Sequence, residues 1–374
     1  MKFFEKLSGV VLAGILCIPL CAAFPENPVH AENSGDFAYQ FRSDQTVEII
    51  CQNPDIVRAE IPAEIDGHPV TALAENCFAQ CDAMTEVIIP DTVTKLGDYA
   101  FFGCSSLTEI AIPASVTAIG EYVFDTTERL TKFEVDPENP SYQSPDGVLY
   151  DKAGGTLLKY PESKPEQNYT VLDNCQTIAN WAFVGSVNLQ FIDLKQVRTI
   201  GEDAFYYCVA LKEITIPEGV TELPGAVFGC CAELETVNLP SGLLAIGDKC
   251  FYSCVSLQKI NLPEGLQKMG EYAFCHCTAL RVLAIPKSLT TVNTKCMGYL
   301  YDETSDDYML QETITLYVYP DSAAWKYAAT NHIAFELIRN YDQLYLILII
   351  VILVIILILS FAILKILKGR KNNT

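Results

Sequence analysis

Of the 15 cysteines in the 374-residue chain, Cys17 and Cys21 lie near its start and the other 13 follow residue 50. Thiolates are nucleophiles and soft metal ligands. Cys275-His276-Cys277 and the pairs Cys77/Cys81 and Cys250/Cys254 are therefore the first places to look for chemistry. A zinc site needs closely spaced cysteine pairs that converge with four ligands. Here the spacing obeys another rule. Cys81, Cys104, Cys208, Cys231, Cys254 and Cys277 share one position of a repeat, where Thr127, Ser186 and Leu300 stand in other copies. Cys77, Cys250 and Cys296 each precede a recurrent Phe or Met. Such columns fit small apolar thiols that fill a core, so no metal site is expected. Disulfides between neighbouring units stay open, because a step of ~4.8 Å between strands suits a disulfide. Reduced, buried thiols are the preferred reading, although export normally selects against them.

Other chemistry is sparse. The four histidines, at 30, 68, 276 and 332, stand in no nucleophile motif. There is no His-Glu-x-x-His, Gly-x-Ser-x-Gly, Walker loop or Gly-x-Gly-x-x-Gly. Asp302, Glu303, Asp306 and Asp307 form an acidic loop without the glycine and terminal glutamate of an EF-hand. No catalytic residue and no cofactor is expected, and the chain reads as non-enzymatic.

The cysteine column belongs to a larger period. Phe78, Phe101 and Phe124 are 23 residues apart; Phe183, Phe205, Phe228, Phe251, Phe274 and Met297 continue the series. Ile-Pro or Leu-Pro pairs recur with it at 89–90, 112–113, 216–217, 239–240, 262–263 and 285–286. Each unit reads Leu-x-x-Ile-x-Ile-Pro-x-x-Val-x-x-Ile-Gly-x-x-Ala-Phe-x-x-Cys. Its Ile-x-Ile alternation is that of a half-buried strand. The proline lacks an N–H and ends the ladder, and the glycine suits a turn. No unit can enclose its own apolar face, so about nine coils must stack as a parallel-strand solenoid with short turns. Some 36 extra residues, 136–171, interrupt the period. Apolar runs around Gly154-Gly155 predict a β-hairpin there that projects from the stack. Residues 302–340 predict a cap: a strand over 313–319, a helix over 322–329 and a last strand over 335–338.

The unit resembles the BspA-type leucine-rich repeat, known also from treponemal surface proteins. Residues 66–78 (Asp-Gly-His-Pro-Val-Thr-Ala-Leu-Ala-Glu-Asn-Cys-Phe), the hairpin insert and the 322–328 cap (Ser-Ala-Ala-Trp-Lys-Tyr-Ala) are similar to features of that family. The resemblance covers about residues 47–338. It implies a leucine-rich-repeat solenoid and a surface protein, with adhesion to other proteins among the family's roles. It implies no catalytic residues.

The two ends place this domain. Residues 1–31 carry Lys2 and Lys6, an apolar run and small-residue cleavage sites after Ala23 or Ala31, the layout of a signal peptide. Leu344 to Leu364 has no charge and is long enough to cross a bilayer, so a transmembrane helix is expected over 341–364. Lys365, Lys368, Arg370 and Lys371 follow, which makes 365–374 a cytoplasmic tail and 32–340 extracellular. The expected location is the cell membrane, crossed once. The exported part holds 43 Asp plus Glu against 19 Lys plus Arg, a net charge of −24 that excludes nucleic acid as a partner.

If the solenoid binds a protein or glycan, the outward residues of the first strand form the expected face. Coil by coil these are Glu86 and Ile88, Glu109 and Ala111, Lys132 and Glu134, Glu213 and Thr215, Thr236 and Asn238, Lys259 and Asn261, Val282 and Ala284. The row runs from acidic to polar to apolar, with no aromatic stripe. A membrane-proximal scaffold for other envelope proteins is the alternative, because only Arg339 to Gln343 separate the cap from the apolar segment. Five residues reach at most ~18 Å.

Overall fold

The strand that opens each unit alternates outward and inward side chains. Glu86–Ile88, Glu109–Ile112, Glu213–Thr215 and Val282–Ala284 bury Val87, Ile110, Ile214 and Leu283 between exposed neighbours. One or two inward side chains per strand close no core, so the strands stack in parallel. Asn168–Thr170, Phe191–Asp193, Glu213–Thr215, Thr236–Asn238 and Lys259–Ile260 form one such sheet in register. The following proline starts a tight turn. Pro90, Pro217 and Pro263 accept from the N–H three residues on, at 3.1, 3.0 and 3.0 Å. A second column of two-residue strands follows, including Lys95–Leu96, Ala118–Ile119 and Ala245–Ile246.

The computed structural model describes residues 32–34, 37–51, 53–302 and 305–338. Within them the chain is a parallel β-solenoid of about 13 turns. That exceeds the nine coils expected from the Phe spacing. Turns at both ends and within the insert keep the strand ladder without the Phe signature: Arg58–Glu60 pairs with Glu86–Ile88, and Thr315–Val318 pairs with Val282–Ala284 and Phe335–Leu337. The helix of the cap is Ala323–Thr330, and the Ser322 hydroxyl accepts from the Trp325 N–H at 3.1 Å as its N-cap.

The recurrent glycine has a different reason from the turn expected of it. Positive φ is carried instead by non-glycine residues, among them Tyr99, Tyr122, Trp181, Lys249 and Tyr272. Gly247 is required by close approach: a Cβ there would lie 2.5 Å from the carbonyl carbon of Pro224 in the preceding coil. Its N–H donates to Leu223 O at 2.8 Å, as Gly97 does to Leu73 O at 3.0 Å. Pro224 stands where the preceding coil would carry this glycine and has no N–H to give. The second-column ladder stops there, with Thr199–Ile200 and Glu222–Leu223 in separate sheets.

The phenylalanines stack through the centre. Phe183, Phe205, Phe228, Phe251 and Phe274 follow one another at 4.7, 5.5, 5.5 and 5.0 Å, their planes within 17°. Phe78, Phe101 and Phe124 form a second stack. Phe124 ends it by turning edge-on to Phe133. Among the described residues the core is accordingly two large clusters that meet at the insert, and a small third of Val184, Tyr206 and Cys230.

The insert is a hairpin, Leu149–Asp151 with Thr156–Lys159, but it does not project. Thr156 and Leu157 pair in parallel with Thr177 and Ile178, and Tyr160 stacks on Phe183 at 5.0 Å. The hairpin is thus one turn of the solenoid, with Tyr160 at the Phe position. Val148 and Tyr150 pack into one core cluster and Leu149 into the other. The expected signal peptide, membrane helix and tail lie outside the described residues, as does Glu303. Among the described residues no helix is long and apolar enough to cross a membrane.

Candidate functional site

Parallel register turns the expected face into two outward columns. Glu86, Glu109, Lys132, Glu213, Thr236, Lys259 and Val282 belong to one; Ile88, Ala111, Glu134, Thr215, Asn238, Asn261 and Ala284 belong to the other. All are exposed except Lys132 and Thr236, which are half-buried. The charges at the N-terminal end satisfy each other. Arg58 pairs with Glu86 at 3.3 Å, and Lys132 pairs with Glu109 and Glu134 at 2.6 and 2.5 Å. Hydrogen bonds to Glu109 and then Glu134 hold the Lys132 ammonium above its ordinary pKa. Exposed pairs of this kind contribute little stability.

The row is interrupted and longer than expected. The insert places the short turn Pro145–Gly147, not a strand, beside Lys132: a Cβ on Gly147, whose φ is +76°, would meet Lys132 Cβ at 2.8 Å. The row resumes with Asn168 and Thr170, then Phe191 and Asp193, which the irregular spacing conceals in the sequence. Phe191, 43% exposed, introduces an aromatic side chain into a row expected to have none. It borders a shallow hollow of about 340 Å³ with Lys195, Glu213, Thr215 and Pro217.

A second feature arises where the insert meets the regular coils. In the coil after it, five positions separate Ile178, in the second column, from Phe183; in the insert coil only three separate Leu157 from Tyr160. The shortened turn leaves a notch of about 300 Å³. Its walls are Gly120–Asp125 of one coil, Tyr142, and Ala179–Trp181 of the other; Leu149, Leu158 and Lys159 also line it. Tyr122 and Trp181 meet edge-to-face at its rim, with centroids 5.8 Å apart. Beneath, Lys159 donates to Asp125 Oδ1 at 2.5 Å and lies 3.5 Å from Glu162 Oε1. All three side chains are buried, and Asp125 Oδ2 and Glu162 Oε1 have no hydrogen-bond partner. Burial raises Glu162 to a pKa of about 7 against the pull of Lys159.

These aromatics are part of a row that the sequence also carries. Tyr99, Tyr122, Trp181 and Tyr272 each stand two residues before the Phe position. Tyr99 stacks on Tyr122 at 5.1 Å, and Trp181 reaches Tyr206 at 6.4 Å. The same 23-residue period that located Phe would have located them.

The cysteine column is built as packing. The thiols of Cys104, Cys208, Cys231, Cys254 and Cys277 each donate to the Phe carbonyl of the preceding coil at 3.1–3.2 Å. The twelve buried cysteines from Cys77 to Cys296 are free thiols. Among the described residues no cluster of three His, Cys, Asp or Glu could hold a metal. Burial pushes the Cys104, Cys208 and Cys296 thiols up to about 12, where no reactive thiolate forms near neutrality. In native protein these twelve should therefore resist iodoacetamide for hours, whereas protein unfolded without reductant should label at all twelve. Rapid labelling of these twelve in the native state, or near absence of reactive thiols after unfolding, would contradict this arrangement.

The chain is similar to known proteins. No curated protein matches the chain. Among solved structures, a leucine-rich repeat protein from Eubacterium ventriosum is 25% identical, with 72% of this chain and 92% of that one covered and a TM-score of 0.49. The pneumococcal vaccine antigen PcpA is 16% identical, covering 83% and 98%, with a TM-score of 0.58. A leucine-rich cell surface protein from Faecalibacterium prausnitzii is 20% identical, covering 84% and 96%, with a TM-score of 0.44. At its identity the match to PcpA bears on the fold alone. The family model described as the BspA type leucine rich repeat region matches six copies over residues 69–145 and 167–302. With more than half of the chain matched, the protein belongs to the BspA-type leucine-rich-repeat family.

Proposed function

We propose that this chain is a non-enzymatic surface protein, anchored in the cell membrane by Leu344 to Leu364, that binds a protein or glycan through its outward strand columns. The observation that carries the reading is the in-register display of two outward side chains per coil, exposed or half-buried, over successive coils. Solenoids commonly use such extended surfaces for binding. The uncharged apolar segment and the basic residues after it support the anchor and its orientation.

The test uses the full chain in detergent micelles and a ligand captured from the native environment. Combined Glu86→Lys, Glu109→Lys and Glu213→Lys reversal should weaken capture by roughly tenfold or more, since like-charge juxtaposition at an interface costs several kcal/mol. Unchanged binding would show that the face is elsewhere. The five-residue connection to the apolar segment favours a second reading, a scaffold for neighbouring envelope proteins. Crosslinking in intact cells should then capture membrane proteins and lose them when Leu344 to Leu364 is exchanged for an unrelated apolar helix.

A further inference from the structure

We propose that the notch rimmed by Tyr122 and Trp181 and floored by Asp125 and Lys159 binds the cationic side chain of a lysine- or arginine-bearing peptide. It shares no residue with the strand face, so it stands or falls apart from that reading. Three observations converge on it. The first is shape. The shortened turn of the insert coil removes the segment that would otherwise fill the space between two successive aromatic positions. A hollow of about 300 Å³ is left, with the half-buried rings of Tyr122 and Trp181 in edge-to-face contact at its rim.

The second is electrostatics. Exposed Glu121 and Glu202 flank the two rings, and half-buried Asp203 lies beside Glu202. The Tyr122 hydroxyl is held above the ordinary tyrosine pKa first by burial, then by the charges of Glu121, Asp125, Asp203 and Glu202. Burial and then Glu202 raise Asp203 to about 6. The nearby cations do not neutralise this field: Lys159 is engaged by Asp125 and Glu162, and Lys249 offsets Asp203 only in part.

The third is the unsatisfied acceptor. Asp125 lines the notch, is 5% exposed, and keeps Oδ2 without a partner. A buried acceptor without a donor is costly, and a guanidinium or ammonium entering the notch brings donors toward it. Aromatic faces attract desolvated cations, and carboxylates at the rim add Coulomb attraction. A neutral sugar would use the rings but gain less from four surrounding acidic groups, so the charge favours the cation.

Trp181 is itself the reporter. In full-length protein carrying Trp325→Phe, Trp181 is the only indole. Titration with hexa-arginine should change its emission saturably, whereas a Gly-Ser hexapeptide should not. Tyr122→Leu, which leaves net charge unchanged, should weaken hexa-arginine binding about tenfold, as loss of a desolvated cation–π contact predicts. Glu121→Gln, at an exposed position, should weaken it severalfold without altering the melting curve. If Tyr122→Leu melts abnormally, Glu121→Gln and Tyr122→Phe decide, the latter being expected to bind normally. Equal binding by Tyr122→Leu and the parent would reveal diffuse attraction to an acidic surface and overturn the proposal. So would a Trp181 response to chito-oligosaccharide but not to hexa-arginine.

Discussion

Phe228→Ala is expected to cost ~3–5 kcal/mol of unfolding free energy, the usual range for a fully buried Phe truncated in a core. Phe228 has no exposed surface and is held at 5.5 Å between Phe205 and Phe251. Its neighbours are fixed by inter-coil hydrogen bonds, including Phe205 N to Val227 O at 2.9 Å and Phe251 N to Ala273 O at 2.8 Å, and cannot collapse into the space. In a solenoid each coil depends on the next, so the loss should spread to adjacent turns. Hydrogen exchange should then accelerate in the coils of Phe205 and Phe251 before those of Phe78 and Phe101, which belong to the other core cluster. Urea unfolding of Phe191→Ala supplies the comparison: that ring is exposed, and its loss should be within ~0.5 kcal/mol. Similar losses for the two variants would disprove the central stack as the source of stability.

The second large effect is expected at the buried ion cluster. Lys159→Met leaves Asp125 and Glu162 buried with no counter-charge, for which ~3–5 kcal/mol is the usual cost. The loss should depend on pH, and the sign follows from linkage. Glu162 has a folded pKa of about 7, against about 4.3 in an unfolded chain. Between these values the native state binds more protons than the unfolded state. Stability contributed by this group is complete below about pH 4.3 and is lost as pH rises to about 7, by on the order of 3 kcal/mol. Lys159 is the group that restrains Glu162 from rising further. Its removal should move the window upward, so the variant suffers more at pH 8 than at pH 5. Replacing all three residues by apolar ones of similar size should recover much of the loss. Chemical denaturation at the two pH values measures this directly, and an equal, small penalty at both would refute the coupling.

Much of the architecture is legible because each coil repeats the same physical problem. The Phe, Pro and Cys columns recur since one buried ring, one ladder stop and one small thiol are needed per turn. Their burial and stacking follow the period they set in the sequence. Where the period fails, so does the reading. The 36 extra residues look like a protrusion because no Phe marks the turn, yet Tyr160 takes the ring position and Thr156-Leu157 take the strand register. Asn168, Thr170, Phe191 and Asp193 drop out of the expected face for the same reason. The glycine column is legible as a constraint but not in its cause, since close approach and a left-handed turn demand the same residue.

The sequence by itself determined what is periodic: a parallel solenoid, its buried columns, and the alternation that directs Glu86, Glu109, Glu213 and their counterparts outward. These follow from spacing and polarity alone, because side-chain direction in a strand depends only on odd or even position. Only the tertiary structure decided what arises between coils that differ. The notch, the Tyr122–Trp181 pair at its rim and the Asp125–Lys159 pair beneath it bring together residues 34 to 59 positions apart. A loss of two residues from one turn created them, and such a loss has consequences only when neighbouring turns are laid side by side.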